Sequence, residues 1–321
     1  MLRVAICGEE SAGLRVFQCL RAEPVTLCLV LSGSVERPTP LASAARRVGL
    51  PAYPARCVRE RDFADVLRDE RVDVVLNVHS LHVVRAEVLA AARVGWFNLH
   101  PGPLPEMAGL NVPSWAIYRG HRRHAVTLHE MRPQIDTGRI VARRDFPIAE
   151  RETALSLYAR CIRLGVAEVV AFVRELAASP GRTYSAEEQD LSRREYFGRD
   201  VPDGGVVDAG MSSERLDRFV RACDFGPYAS PWGHPRISVP GVGTLELLAG
   251  ETLACARGRA APPGTLAVHD GTVHRVSADG CFAITKARCG DRILDGGALA
   301  AALRQDGLEA VARDVSPTAV D

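Results

Sequence analysis

Short apolar runs alternate with helical patterns through the first third of the chain, and this alternation constrains the fold more than any other feature. Each run has the length of a buried strand, and the segment after it repeats apolar residues at helical spacing. Strands that alternate with helices indicate β-α-β units and a mainly parallel sheet. The runs are Leu2–Cys7, Val25–Leu31, Val72–Val78 and Gly95–His100, and the helical patterns lie near Val16–Leu20, Pro40–Val48, Phe63–Leu67 and Ala86–Ala92.

The residue composition and the predicted secondary structure change twice along the rest of the chain. A long helical pattern with Leu155 and Leu176 on its apolar face ends at Ser179, and a segment rich in Arg, Asp, Gly and Pro follows. From Pro235 short strands lie close together, and Asp-Gly pairs between them predict hairpins and a small β-barrel. We therefore expect an α/β protein with a Rossmann-like domain over residues 1–180, a linker with a short helix over 181–234, anchored by Tyr196 and Phe197, and an OB-like β-barrel over 235–321.

Charge and cysteine usage narrow the function classes. The 321 residues carry 40 basic and 39 acidic side chains, whereas a protein that holds nucleic acid mainly through phosphates should carry a basic surplus. No apolar run approaches the ~18–20 residues of a membrane span, and the N-terminus lacks the core of a signal peptide. The nine cysteines form no Cys-x-x-Cys pair, which is typical of reduced thiols in a cytosolic protein.

The sequence contains no standard motif for a metal or a nucleotide. His121, His124 and His129 have no Cys or carboxylate partner at ligand spacing, so we expect no metal site. The turn Gly8–Gly13 follows the first apolar run, but it is neither G-x-G-x-x-G nor a P-loop. We interpret it as a tight strand-to-helix turn at the edge of the sheet where ligands bind in such folds.

Three polar residues form the most informative group. Asn98 and His100 stand two apart at a strand end, so their side chains point to one face, and a Pro/Gly-rich loop follows them. Asp136 precedes a turn further along the chain. Together they offer an amide for a carbonyl oxygen, an imidazole for proton transfer and a carboxylate that tunes it. The alternative for His100 is a satisfied histidine of the core.

The sequence resembles the folate-dependent formyltransferases, a family that includes methionyl-tRNA, glycinamide ribonucleotide and aminosugar N-formyltransferases. The resemblance spans nearly the whole chain, and the Asn-x-His and Ile-Asp-Thr-Gly segments are its most specific part. The matching segments are Val4-Ala-Ile-Cys-Gly8, Asp73-Val-Val-Leu-Asn77, Gly95-Trp-Phe-Asn-Leu-His-Pro101, Val126-Thr-Leu-His-Glu-Met131, Ile135-Asp-Thr-Gly138, Thr153-Ala-Leu-Ser-Leu-Tyr158 and Pro263-Gly-Thr-Leu266.

The resemblance implies transfer of a formyl group from N10-formyltetrahydrofolate to an amine, without a metal. Asn98 and protonated His100 would donate hydrogen bonds to the oxyanion that forms on the formyl group. Asp136 would raise the pKa of the imidazole or accept the amine proton, and the choice of base stays open. The resemblance also implies a set of residues around the pterin, namely Leu81, His82, Val83, Val84 and Ile135.

The chain departs from the family at the acceptor side. Gly102 stands where relatives have a serine, so that serine's hydroxyl is missing, and Leu110 stands where some relatives have an arginine. An acidic or phosphate-bearing acceptor would therefore be held differently here. We expect Gly8, Leu110 and Trp115 to contact the acceptor, with core packing as the alternative for Trp115.

Charge also bears on the acceptor. Relatives that act on tRNA carry a basic insertion after the second strand and a basic C-terminal barrel. Here the segment Ser32–Pro40 has one basic residue, and residues 236–321 contain nine basic and ten acidic side chains. We expect a small-molecule amine: an amino sugar, an amino acid or a carrier-bound aminoacyl group in a biosynthetic pathway. The alternatives are a methionyl-tRNA formyltransferase and a non-catalytic folate-binding relative.

Overall fold

The computed structural model describes residues 1–34, 37–239, 242–253 and 261–305, and the chain divides into two compact units. Residues 254–260 and 306–321 of the expected C-terminal barrel lie outside the described residues. The first unit contains Met1–Val112, Arg123–Pro147 and Tyr158–Gly198, and the second contains Pro113–Arg122, Ile148–Leu157 and Arg199–Asp321. The domain limits expected at residues 180 and 234 stay a prediction.

A seven-stranded sheet organises the first unit. Its strand order is β3-β2-β1-β4-β5-β7-β8; the first five pair in parallel, whereas β7 runs antiparallel to both β5 and β8. The predicted mainly parallel sheet is therefore confirmed. The strands of this unit are β1 (Leu2–Gly8), β2 (Val25–Leu31), β3 (Ala52–Tyr53), β4 (Val74–Val78), β5 (Gly95–His100), β6 (Ala108–Gly109), β7 (Arg123–Glu130), β8 (Ile140–Pro147) and β9 (Tyr196–Phe197).

Helices and loops cover both faces of the central strands, which is why β1, β2 and β4 consist mostly of apolar residues. Along β1, Val4 and Ile6 join one core cluster, and Ala5 and Cys7 join a second one on the other face. Thr39 caps its helix by accepting a hydrogen bond from the next turn. The α-helices of both units, in chain order, are α1 (Glu10–Leu20), α2 (Pro40–Arg47), α3 (Phe63–Asp69), α4 (Ala86–Leu89), α5 (Val112–Tyr118), α6 (Ala154–Ala178), α7 (Ser213–Ala222) and α8 (Gly296–Gln305).

An antiparallel sheet organises the second unit. Its strand order is β10-β11-β14-β13-β12, and β15 pairs with β14. The expected hairpin at Asp270-Gly271 joins β12 to β13, and both residues have positive φ, as a tight two-residue turn requires. Its closure into an OB-like barrel stays a prediction. The strands are β10 (Arg236–Val239), β11 (Gly243–Leu253), β12 (Leu266–His269), β13 (Thr272–Ser277), β14 (Gly280–Cys289) and β15 (Arg292–Asp295).

Two short segments differ from the expectation or sharpen it. Helix α5, which begins three residues after Gly109, was not among the helices expected from the sequence, and Pro113 is tolerated in it because it lies in the first turn. In the expected linker, β9 pairs in parallel with β6. Phe197 is buried there as expected, whereas Tyr196 is exposed. The linker is thus tied to the strand that precedes α5.

The cysteines in the described part of the chain form no disulfides. There are eight of them, and five are buried; Cys255 lies outside that part. Burial raises the pKa of the Cys7 thiol to about 12, so that thiol stays protonated in the core. Among the described residues, no helix has the length and apolar content that a bilayer crossing requires.

Candidate active site

Three polar side chains form a row across neighbouring strands near the carboxyl edge of the parallel strands. The register places Asn77 of β4 opposite Asn98 of β5, and Asn98 opposite His129 of β7. Asn77 donates to Asn98 Oδ1 at 2.8 Å, and Asn98 Nδ2 lies 3.0 Å from His129 Nε2. His100 lies two residues beyond Asn98, so the strand period keeps both on one face. This polar row interrupts the mostly apolar central strands of the sheet.

Asp136 meets this row from the loop between β7 and β8. Its Oδ1 lies 3.3 Å from His129 Nε2, and its Oδ2 lies 3.5 Å from His100 Nδ1. The Oδ2 atom also accepts a hydrogen bond from the Gly109 backbone N–H at 2.8 Å. The structure thus brings the three sequence-predicted residues together, but Asn98 reaches Asp136 through His129.

Glycines and a linker side chain hold the Asp136 loop in place. Asp136 adopts a φ of 56°, a left-handed conformation in which Asp is tolerated better than most residues. A Cβ on Gly138 would stand 1.8 Å from the Glu130 carbonyl oxygen, so only glycine fits there. The amide of Gln189 donates to the carbonyl oxygens of Asp136 and Gly138, at 3.1 and 2.6 Å. The loop therefore leaves Asp136 little freedom.

The imidazole of His100 is buried, and each of its two nitrogens faces an oxygen atom. Its Nε2 lies 2.7 Å from the Met107 carbonyl oxygen, which only accepts, so Nε2 carries a hydrogen and Nδ1 faces Asp136. A Cβ at Gly102 would stand 2.9 Å from His100 Nε2 and 2.5 Å from Val112 Cγ1. The absence of a side chain at Gly102 therefore leaves room for this ring and for the Val112 side chain.

Charges set the protonation of the cluster. Burial acts to raise the pKa of Asp136, but His100, His129 and the Gly109 N–H outweigh it and hold that pKa well below its usual value. Burial lowers the pKa of His100, and the Asp136 carboxylate only partly opposes this. The resting cluster at neutral pH is thus a carboxylate beside a neutral His100.

A further histidine that the sequence analysis did not single out lies at the end of β4. His79 has a φ of 58°, and its Nδ1 lies 3.1 Å from the Tyr158 hydroxyl of α6. Burial, together with the neighbouring His100, lowers the pKa of His79 to about 4. His79 is therefore neutral at physiological pH.

The residues expected around the pterin fall into two groups. Leu81, Val83 and Ile135 are large apolar side chains that are 75%, 56% and 43% exposed. Val84 is buried, and His82 is partly buried. In sequence, Leu81 and Val83 follow Asn77 closely, and Ile135 directly precedes Asp136. Exposed apolar side chains of this kind suit a flat heteroaromatic ring.

The residues expected at the acceptor lie on three different elements. Gly8 ends β1 and packs against Gly13. Leu110 follows the Gly109 that binds Asp136, and its backbone N–H donates to the Phe197 carbonyl oxygen. Trp115 belongs to the second unit, where its ring packs edge-to-face on Trp232 at 4.9 Å. Leu110 is therefore the one of the three that adjoins the cluster in sequence.

The positions of Asn77 and His129 show what the sequence analysis missed. Asn77 is a polar residue inside a buried apolar strand, and His129 lies within one of the matching segments. Both signals are present in the sequence, but neither residue can be assigned to the site without knowing which strands lie beside β5. No group of three or more His, Cys, Asp or Glu residues suited to a metal ion occurs in the part of the chain that the structure describes.

Comparison with known proteins agrees with this geometry. The profile of the family described as "Formyl transferase" matches residues 24–173. That segment contains Asn98, His100 and Asp136.

Residues 24–173 belong to the formyl transferase family.

The predicted enzyme class, a folate-dependent formyltransferase, is confirmed, and so is the donor that such enzymes use, N10-formyltetrahydrofolate. The chain is 28% identical to a methionyl-tRNA formyltransferase of Chlorobium phaeovibrioides over 261 residues, which is 81% of this chain and 79% of the relative. It is 31% identical to a GDP-perosamine N-formyltransferase of Brucella melitensis over 157 residues, which is 49% of this chain and 58% of the relative.

A solved structure shares the fold. It is an N-formyltransferase from Helicobacter canadensis in complex with folinic acid and dTDP-3-aminofucose. The TM-score is 0.68 at 16% identity, and the match covers 90% of this chain and all of that chain. At this identity the likeness shows the fold alone.

Proposed function

We propose that this enzyme transfers the formyl group to the primary amine of a small molecule. The observation that carries the chemistry is the cluster in which one carboxylate, Asp136, lies within 3.5 Å of two imidazoles beside an amide, Asn98. A formyl transfer needs a hydrogen-bond donor for the developing oxyanion and a group that takes a proton from the attacking amine. The cluster offers both.

Asn98 is the proposed oxyanion donor. Its amide oxygen accepts from Asn77, which turns the NH₂ group away from β4. One of the two N–H bonds points to His129, and the second, for which the described residues offer no acceptor, can donate to the formyl oxygen. The expected donation from His100 is less well supported, because its Nε2–H already binds the Met107 carbonyl oxygen.

Asp136 and His100 are the proposed proton acceptor, acting as a pair. A carboxylate with a strongly lowered pKa attracts an ammonium ion but holds its proton poorly. His100 Nδ1 faces that carboxylate with a free lone pair and can keep the proton that Asp136 takes from the amine. The imidazolium formed would donate to Asp136 and to Met107, so both of its N–H groups have acceptors.

The donor would lie beside the cluster. Leu81, Val83 and Ile135 offer exposed apolar side chains for the pterin, and the loops that carry them flank Asn77 and Asp136. The amine attacks the carbon of the N10-formyl group, the bond from that carbon to N10 then breaks, and N10 leaves with the proton that His100 has kept. In this role the loop residues bind and orient the donor and take no part in proton transfer.

The charge distribution supports a small acceptor. Residues 236–321 have no basic surplus. Several arginines of the second unit are also already paired with carboxylates, which leaves less positive charge for a phosphate backbone. These pairs are Arg151–Asp217, Arg215–Asp203, Arg218–Glu214, Arg221–Asp217 and Arg288–Glu246. A GDP-linked sugar is the acceptor named for one relative, and a sugar nucleotide accompanies one fold neighbour.

Methionyl-tRNA is the second candidate acceptor. The observation that favours it is the match to a methionyl-tRNA formyltransferase over 81% of this chain, well beyond the family segment. Under this alternative the basic residues that are not ion-paired would have to form a local stripe. Binding would then weaken steeply as salt is raised.

An acceptor screen tests the proposal. The purified chain is incubated with N10-formyltetrahydrofolate and, separately, with dTDP- and GDP-linked amino sugars, amino acids, a carrier-bound aminoacyl group and methionyl-tRNA. Mass spectrometry then detects the gain of one formyl group. We expect a small amine to be formylated by the wild type and not by the Asp136→Asn variant. Formylation of methionyl-tRNA alone would overturn the proposal.

A further inference from the structure

Residues 187–197, which we call the strap, contact the two pieces of chain that hold Asp136. One piece is the loop between β7 and β8, which carries Asp136 itself. The other is β6, whose Gly109 N–H binds the Asp136 carboxylate. The strap and both pieces belong to the first compact unit. The strap is therefore placed to fix the loop and β6 relative to each other.

The strap is joined to the loop first through the backbone. The Glu187 N–H donates to the Ile140 carbonyl oxygen at 2.8 Å, and the Ile140 N–H donates to the Glu187 carbonyl oxygen at 2.7 Å. This reciprocal pair is an antiparallel bridge at the first residue of β8. The end of the loop is thereby fixed to the strap.

Side chains of the strap bind the loop on both sides of its strained residue. Gln189 Nε2 lies 3.1 Å from the Asp136 carbonyl oxygen and 2.6 Å from that of Gly138, and Arg194 donates to the Ile135 carbonyl oxygen at 3.0 Å. Because backbone oxygens only accept, the atom of Gln189 that faces them is the NH₂ group. The reverse orientation would bring an amide oxygen against two carbonyl oxygens, which is costly.

The strap also pairs with β6. The N–H groups of Ala108 and Leu110 donate to carbonyl oxygens of the strap at 2.9 and 2.8 Å. The N–H of Gly109, between them, donates instead to the Asp136 carboxylate. A Cβ at Gly109 would overlap the Phe197 carbonyl oxygen, so the absence of a side chain permits this close pairing.

We propose that Gln189 is a positioning residue that places the Asp136 carboxylate between the Gly109 N–H and His100. It contacts no reacting group and acts through the backbone of the loop. Asp136 needs such support because its φ of 56° is a conformation that persists only where the surroundings fix it. This inference deepens the proposed function and rests on it, because the placement matters to the rate only if Asp136 takes the proton of the amine.

Three consecutive amides give a test that needs no acceptor. The N–H groups of Ala108 and Leu110 report the pairing of β6 with the strap, whereas the Gly109 N–H reports the position of the Asp136 carboxylate. Amide hydrogen exchange is followed by NMR in the wild type and in Gln189→Met, which keeps the length of the side chain and loses both donations. We expect exchange at Gly109 to become about tenfold faster, and exchange at the other two amides to change by less than about twofold.

Two results would overturn the proposal. One is unchanged exchange at Gly109, and the other is equal acceleration at all three amides, which would show that Gln189 only stabilises the strap. Gln18→Met, on the exposed surface of α1, is the matched control and should leave the three rates unchanged. If Gln189→Met does not fold, Arg194→Met, which loses the donation to the Ile135 oxygen, takes its place with the same expected pattern.

Kinetics then tests whether the position of the carboxylate limits the reaction. With the acceptor identified by the screen, Gln189→Met should lower kcat by about tenfold and leave KM for the donor nearly unchanged. In an Asp136→Asn background the same substitution should cause little further loss, because the carboxylate it positions is gone. An equal loss in both backgrounds would contradict the proposal. The screen can fail while the exchange rates are as expected, so failure of the proposed function and failure of this inference are distinguishable.

Discussion

At the scale of single residues, Asp136 concentrates most of the chemistry. Its backbone is held in the left-handed region, its carboxylate accepts from Gly109, and two imidazoles face its oxygens. A conformation of this kind costs free energy and persists only where the surroundings fix it. Here the surroundings are the Gln189 amide and the close packing of Gly138.

Replacing Asp136 by Asn should remove the charge and keep the shape. Asn can still accept from Gly109, but it can neither attract the ammonium ion nor pass its proton to His100. We expect kcat to fall by about 10²–10⁴-fold, with donor binding changed only a few-fold. Steady-state kinetics and calorimetric titration with folinic acid measure the two effects. Wild-type turnover in this variant would contradict the assigned role.

The sequence allowed only part of this site to be predicted. Asn98, His100 and Asp136 could be singled out because they stand at strand ends and turns, where a polar residue is conspicuous. Asn77 and His129 could not be singled out, because they join the site only if β4 and β7 lie on either side of β5. That adjacency follows from strand order, and strand order is decided by packing of the whole sheet.

At the scale of elements, the loop from β7 to β8 decides whether the cluster forms. It is short, and Gly138 lies against the backbone of the strand it leaves. The approach of a Cβ to the Glu130 carbonyl oxygen could be relieved only by moving backbone, because no flexible side chain is involved.

Gly138→Ala should therefore damage both stability and activity. We expect the free energy of unfolding to fall by about 1–3 kcal/mol and kcat to fall with it, because Asp136 is displaced from His100. Gly297→Ala in α8 is the control, since its Cβ would meet only an ordinary contact at 3.6 Å. Denaturant unfolding and kinetics check both variants. Equal stability of the two would argue against the tight packing of this loop.

The elements themselves were mostly predictable, and the exceptions have a physical cause. Long apolar runs gave β1, β2 and β4 to within two residues, because both faces of these strands are buried. Helix α5 was missed because its first turn contains Pro113 and follows Asn111, residues more typical of loops. The pairing of β6 with β9 joins residues far apart in sequence and leaves no local signal.

At the scale of the whole molecule, buried neutral histidines couple stability to pH. His79 has a pKa of about 4 in the folded chain, below its ordinary value of 6.5, so the unfolded chain binds more protons between these values. The stabilisation is present above pH 6.5 and is lost as pH falls through this window.

We therefore expect acid sensitivity that depends on His79. Between pH 6.5 and 4 this residue should reduce the free energy of unfolding by up to about 1.4 kcal/mol per pH unit. His79→Asn keeps a residue that tolerates positive φ and should flatten the slope. Denaturant unfolding over a pH series measures it. An unchanged slope in the variant would show that His79 is not buried in its neutral form.

The balance of charge is also a property of the whole chain, and it separates the two candidate acceptors. The direct test is a competition in which the amine identified by the screen and methionyl-tRNA share one reaction with isotopically labelled N10-formyltetrahydrofolate. Formyl transfer to a small molecule predicts that the label enters the low-molecular-weight amine at physiological salt, whereas label found in the tRNA fraction would contradict it.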